Sequence, residues 1–274
     1  MESFLPIGIV LLLVLAAEFV NGWTDAPNAI ATVVSTRVLT PHQALGLATV
    51  FNVLGTMSGT AVAATIGKGI VRPEAIDLAT VAAAMVAIVF WSTLAWYYGL
   101  PTSESHALIA GLSGAGLATA GTGVLLWDGW RKVLIGLLFS TFLGFLGGLL
   151  LMLCIYRVFA RARPGMVRRA FGRLQVLSAA FMAFSHGSND GQKFIGAFTL
   201  TLVLGGVLPE FRVPVWVILL CALTMGLGTA VGGWRIVKTM GLRLTKLEPV
   251  HGFAAETAAA SAIELASRLG IPVS

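Results

Sequence analysis

Apolar runs separated by short polar breaks divide this chain along its whole length. Read from breaker to breaker, they fall near residues 5–20, 27–38, 43–66, 76–98, 102–121, 131–155, 174–186, 192–208, 213–233 and 249–269. Within them Leu, Val, Ala and Gly follow one another without the strict alternation that a lipid-facing barrel strand requires. Helices therefore have to satisfy the backbone. At roughly 20 residues per crossing, the length accommodates about eight to ten membrane segments, which predicts an all-α polytopic membrane protein.

Two pairs of runs are too short to cross alone. Runs 5–20 and 27–38 flank Asn21-Gly22-Trp23-Thr24-Asp25-Ala26, and runs 174–186 and 192–208 flank Gly187-Ser188-Asn189-Asp190-Gly191. Each pair reads as one helix broken at mid-membrane, the discontinuous-helix pattern of many secondary transporters.

Composition agrees with the pattern. Of 274 residues, 57% are apolar and 11% charged, against about 25% charged in a soluble domain, and mean hydropathy is +0.89. The net charge of +6 does not point to nucleic acid, because the basic residues concentrate between apolar runs. Arg157, Arg161, Arg163, Arg168, Arg169 and Arg173 form one group, and Arg235, Lys238, Arg243 and Lys246 another. Positive loops of this kind are expected on the cytoplasmic side. Cys154 and Cys221 lie in apolar runs without metal spacing and read as core packing. Met1-Glu2 offers no basic n-region, so the first run reads as a retained helix.

The two breaks align with each other. Gly22, Asp25 and Ile30 fall on Gly187, Asp190 and Ile195 at an offset of 165, and Gly99-Leu-Pro-Thr-Ser103 falls on Gly270-Ile-Pro-Val-Ser274 at an offset of 171. Two motifs recurring in one order mark an internal duplication. The expected division is a first transmembrane repeat over 1–156, a basic cytoplasmic linker over 157–173 and a second repeat over 174–274. With 102–121 counted as a full span, the first half crosses five times, which inverts the second copy and places the N-terminus outside. The second copy stops inside its motif at Ser274, so a further stretch matching 104–157 is expected in a complete repeat.

Acids in apolar surroundings cost about 2.5 to 3.5 kcal/mol to insert and need a reason. Glu18, Asp25, Glu104, Asp190, Glu256 and Glu264 are such residues. Asp25 and Asp190 suit helix caps at the breaks, where free N–H groups favour an anion and freed carbonyls favour a small cation. Pro101-Thr102-Ser103-Glu104-Ser105-His106 offers hydroxyls, with Glu104 placed as in a capping box. His106 and His186 read as structural. Lys193, aligned with Asn28, suits either a phosphate or neutralisation of Asp190. Glu256 and Glu264 share a helix face and suit a cavity wall or a proton relay. A hydrolase built from Ser103 or Ser105 with His106 is disfavoured, since residues so close on one segment seldom align as nucleophile and base.

These residues carry a resemblance. Asn21-Gly-Trp-Thr-Asp-Ala-Pro-Asn-Ala-Ile-Ala-Thr-Val-Val-Ser-Thr-Arg37, Ser185-His-Gly-Ser-Asn-Asp-Gly-Gln-Lys193, Gly99-Leu-Pro-Thr-Ser-Glu-Ser-His106, Glu248-Pro-Val-His-Gly-Phe-Ala-Ala-Glu-Thr257 and the terminal Gly270-Ile-Pro-Val-Ser274 resemble the signatures of the PiT family of inorganic phosphate transporters. The family core Gly-Ala-Asn-Asp-x-x-Asn-Ala is matched by Gly22, Asp25, Asn28 and Ala29, and by Gly187, Asn189 and Asp190. Thr24 and Lys193 stand where that core has Asn, which leaves the ion open.

The resemblance implies a symporter of inorganic phosphate with Na+ or H+, with no catalytic residue and no cofactor beyond the coupling ion; a sulfate permease of the same architecture is the alternative. It assigns phosphate to Thr24, Asp25, Asn28, Thr102, Ser103, Ser105, Asn189, Asp190, Gln192, Lys193 and Ser274. Coupling ions fall to Asn21, Asp25, Asn28, Asn189, Asp190 and Glu256. The implied partners are phosphate, free or as a metal–phosphate complex, and the bilayer of a prokaryotic plasma (inner) membrane. Gly144 to Gly148 leave room for a homodimer.

Overall fold

The structure, a computed structural model, describes residues 4–240 and 247–273. The described residues form helices joined by turns and short connections, and among them one isolated β-bridge pairs Val71 with Leu125. In chain order the helices are α1 (Phe4–Ser35), α2 (Pro41–Thr56), α3 (Ala61–Gly69), α4 (Leu78–Tyr98), α5 (Glu104–Ala120), α6 (Trp127–Val158), α7 (Pro164–Leu204), α8 (Val215–Val231), α9 (Trp234–Lys238) and α10 (Pro249–Arg268). By length and hydropathy α1, α4 and α6 can each cross a membrane, and the bent pair α2/α3 qualifies as a fourth span. This is a multi-pass integral membrane protein.

The expected mid-membrane breaks are absent: α1 runs unbroken through residues 21–26, and α7 through 187–191. The glycines that suggested a break serve instead to bring backbones together. A Cβ on Gly22 would lie 2.3 Å from the Met225 carbonyl oxygen of α8, and one on Gly187 would lie 2.2 Å from the Asn52 carbonyl oxygen of α2. Small residues at such points let membrane helices touch backbone to backbone. Pro27 does remove an intrahelical donor, which leaves the carbonyl of Trp23 without its usual partner; Gly233, at the start of α9, packs against that oxygen.

The interruptions lie elsewhere. Run 43–66 is split into α2 and α3, bent by 68° across residues 57–60. Gly232, at φ 71°, ends α8 before α9, and Gly99, at φ 68°, ends α4 before the Pro101-Thr102-Ser103 segment. The basic stretch 157–173 is mostly helical: only residues 159–163 connect α6 to α7, so Arg168, Arg169 and Arg173 ride on the first turns of α7. Arg243 and Lys246, like Ser274, lie outside the described residues.

Helices α6 and α7 are opposites. On α7 every residue from Ser185 to Leu202 is buried, as expected of a helix enclosed by others and free to carry polar groups on all sides. It packs against α10, α2, α1 and α3. On α6 only Gly129, Val133, Gly136 and Ile155 are buried, and its Leu and Phe side chains face outward. Cys154 lies on that outer face, which corrects its reading as core packing; Cys221 is buried as expected. Between them the helices enclose one apolar cluster around Val14, Ile66, Met85, Leu108 and Phe194, and a second around Ile30, Ala48, Ala183 and Ala260. The polar site lies near α7 residues 186–193, between Ala183 of one cluster and Phe194 of the other.

Candidate functional site

A cavity of about 430 Å³ opens between α1, α6, α7, α10 and the segment after α4. Asp25 and Asn28 of α1, Thr102 and Ser103, and His186 and Asp190 of α7 supply most of its polar wall, with Ser140 of α6. These residues share a wall because Asp25 and Asn28 are one helical turn apart on α1, as are His186 and Asp190 on α7, and α1 packs on α7. A larger groove of about 520 Å³ between α1 and α4 is lined by apolar side chains and Thr93, and carries no comparable chemistry.

His186 sits between the two aspartates. Its Nε2 is 3.8 Å from Asp25 Oδ2 and 3.9 Å from Asp190 Oδ2, and has no hydrogen-bond partner. On the other side its Nδ1 lies 3.0 Å from Asn52 Oδ1, and Asn52 donates to Thr229 Oγ1 at 3.0 Å. One ligand atom each from Asp25, His186 and Asp190 lie within 4.8 Å of one another. That is a donor set for a cation, set in the cavity wall. The sequence left His186 as structural; its place four residues before Asp190 was the signal that could have put both on one face.

Lys193 is fully buried and bonds to Asp190 Oδ1 at 2.7 Å, to the Val273 carbonyl at 2.8 Å, and to Ser105 Oγ. Ser105 in turn donates to the same carbonyl at 2.8 Å. Of the two roles open to Lys193, the described structure shows neutralisation of Asp190.

Several expected ligands point elsewhere. Asn189 braces the segment after α10, donating to Ser267 Oγ at 2.9 Å and the Ile271 carbonyl at 3.2 Å, and accepting from the Val273 amide at 3.0 Å. Gln192 accepts from the Val62 amide of α3 at 3.0 Å. Thr24 donates to Glu104 Oε1 at 2.9 Å and to its own-turn carbonyl of Val20. Ser92 donates to the other Glu104 oxygen at 2.7 Å, so Glu104 is held by α1 and α4 rather than serving as a cap. The cap of α5 is Ser103, whose Oγ accepts from the His106 amide at 3.2 Å and lies 2.6 Å from His106 Nδ1. Serine and histidine do therefore meet, against the expectation from their spacing, but as part of a helix start.

Two further polar groups lie off the cavity wall. Asn21 donates to Glu18 Oε2 at 3.1 Å; both are fully buried, and Glu18 Oε1 and Asn21 Oδ1 have no partner. Glu256 of α10 is bound by Thr32 of α1 and by Ser178 and Gln175 of α7, the last at 3.3 Å. Thr36 donates to Gln175 at 2.9 Å and closes that cluster. Sequence spacing gave no sign that Thr32, Ser178 and Gln175 would meet Glu256.

Because Asp25 and Asp190 are mid-helix, the helix N-terminus at the cavity belongs instead to α5, which begins at Glu104 beside Thr102 and Ser103. Its first amides and positive dipole end suit an anion.

Comparison with known proteins gives this geometry a context. A model of the "Phosphate transporter family" matches residues 21–166 and 160–274. A probable low-affinity inorganic phosphate transporter of Rhizobium meliloti (strain 1021) is 44% identical over 94% of this chain and 78% of its own length. One of Bacillus subtilis (strain 168) is 38% identical over 97% of this chain and 81% of its own. Among solved structures, "The sodium-dependent phosphate transporter" superposes with a TM-score of 0.89 at 23% identity, covering 98% of this chain and 86% of that one, and so shares its fold. With a family model matched from residue 21 to residue 274 and close relatives along nearly its whole length, the chain belongs to the phosphate transporter family.

Proposed function

We propose that this chain carries inorganic phosphate across a prokaryotic plasma membrane by secondary active symport with Na+ or H+. The observation that carries the reading is the cavity wall itself. Neutral donors from Asn28, Thr102 and Ser103 line the same cavity as Asp25 and Asp190, with His186 between the two acids and Lys193 paired to Asp190. Oxyanion donors beside carboxylates make anion binding depend on a cation arriving with it, because the cation offsets repulsion that the acids exert on phosphate. A ligand pair that binds one conformation better than the other shifts the population towards it, which is the physical content of coupling.

Inverted repeats supply the two conformations in this reading. Its supports are the aligned signatures and the parallel order of elements: long α1, then α2 broken from α3, then α4, against long α7, then α8 broken from α9, then α10. The arginines around the α6–α7 connection would then face the cytoplasm.

The test is labelled phosphate uptake into proteoliposomes holding the purified chain, with Na+ and pH gradients imposed separately and excess sulfate as competitor. The expected outcome is uptake driven by one of the gradients and resistant to sulfate. Competition by sulfate at phosphate-like concentration would shift the substrate to the broader class of tetrahedral oxyanions.

A further inference from the structure

We propose, resting on the transport reading above, that the Lys193 ammonium is a tethered cation standing where a mobile coupling Na+ would otherwise bind, so that this point of the site takes no alkali ion. Lys193 is fully buried one helical turn after Asp190. An ammonium has three N–H donors, and three oxygens receive them: Asp190 Oδ1 at 2.7 Å, the Val273 carbonyl at 2.8 Å and Ser105 Oγ. The Ser105 hydroxyl accepts from the ammonium and donates its own O–H to the Val273 carbonyl, so donors and acceptors balance.

A carboxylate, a hydroxyl and a backbone carbonyl from three separate segments converge here, and oxygen donors of these kinds are what a hard cation takes. Nζ fills the point where they meet. A Na+ ion at the same oxygens would have to displace a covalently attached positive charge from a buried carboxylate, which leaves that charge unpaired. The aligned residue of the first signature is the neutral Asn28, on the cavity wall. The two signatures therefore differ in charge: Asp190 carries a resident cation, whereas Asp25 faces the cavity with His186 at 3.8 Å.

The full chain and its Lys193→Asn variant are purified and compared in Na+ and in choline at one pH and ionic strength. Two readouts are taken: the thermal unfolding midpoint of each, and labelled phosphate uptake by the wild type. The wild-type midpoint is expected to be the same in both salts. Lys193→Asn frees the three oxygens, and its midpoint is expected to rise saturably with Na+. A folded K193N with no Na+ response beyond that of the wild type overturns the proposal. If K193N is not recovered folded, Asp190→Asn decides. A saturable Na+ response of the wild type that Asp190→Asn removes overturns the proposal, and a wild-type midpoint indifferent to Na+ supports it. Absence of phosphate uptake in either salt would remove the transport reading, while the Na+ response of the midpoint still decides the role of the lysine.

Discussion

Asn189 shows how a residue of a transport signature can be occupied by architecture. Its side chain makes three hydrogen bonds, to Ser267, Ile271 and Val273, and holds the segment after α10 against α7. Asn189→Ala removes all three and leaves the buried Val273 amide unpaired, at a cost of about 1–3 kcal/mol. The thermal unfolding midpoint in detergent should fall accordingly; a midpoint equal to the wild type contradicts the bracing role. Neighbouring Asp190, one position on, faces the cavity. Both residues were legible in the sequence as special, since polar groups there are costly, but which of them lines the site was not. Adjacent helical residues point about 100° apart, and the partners that decide between them come from distant segments. His186 was missed for the same reason: its meaning lies in Asp25, brought to it by the packing of α1 on α7.

At the scale of elements, hydrophobic pattern located nearly every helix, and runs 76–98, 131–155, 213–233 and 249–269 each coincide with one. The failures were at polar interruptions. Glycine with Asn or Asp reads as a break from propensity alone, yet within α1 and α7 the glycines answer to a neighbouring backbone. Gly187→Ala should therefore destabilise by about 1–3 kcal/mol through overpacking against the Asn52 carbonyl. Gly114→Ala, which meets nothing within 4 Å, should leave the unfolding midpoint unchanged or raised. Equal effects of the two would contradict the close approach. Helix α4 offers a test at its other extreme, the membrane edge. Exposed Asp77 caps it, accepting from Thr80 Oγ1 at 2.7 Å and from the Thr80 amide at 2.8 Å, and these donors hold its carboxyl below the usual carboxylate range. Asp77→Ala should cost about 1 kcal/mol. A carboxyl lowered on folding stabilises above its unfolded pKa of about 3.9, and the benefit is lost as pH falls through the lower folded value. The gap in midpoint between wild type and D77A should thus be full near neutrality and close below about pH 4; a gap that widens in acid contradicts the cap.

The whole molecule is arranged around one polar helix. Enclosed by α1, α2, α3 and α10, α7 carries Ser185 to Lys193 through the interior, while α6 presents apolar side chains outward. That division explains why 57% apolar composition coexists with a buried cluster of aspartates, histidine and lysine: outward-facing helices such as α6 carry apolar side chains, and the enclosed α7 carries His186, Asp190 and Lys193 against Asp25 of α1. The all-α membrane class followed from composition, and the family from its paired signatures. The central claim is that phosphate is handled at the cavity bounded by Asp25, His186 and Asp190. Its most direct test compares labelled phosphate uptake by the wild type and by Asp25→Asn, reconstituted at equal density after both elute as single folded species. The account predicts gradient-driven uptake by the wild type and uptake by D25N no greater than that of protein-free liposomes. Coupled uptake by D25N at the wild-type rate would contradict it.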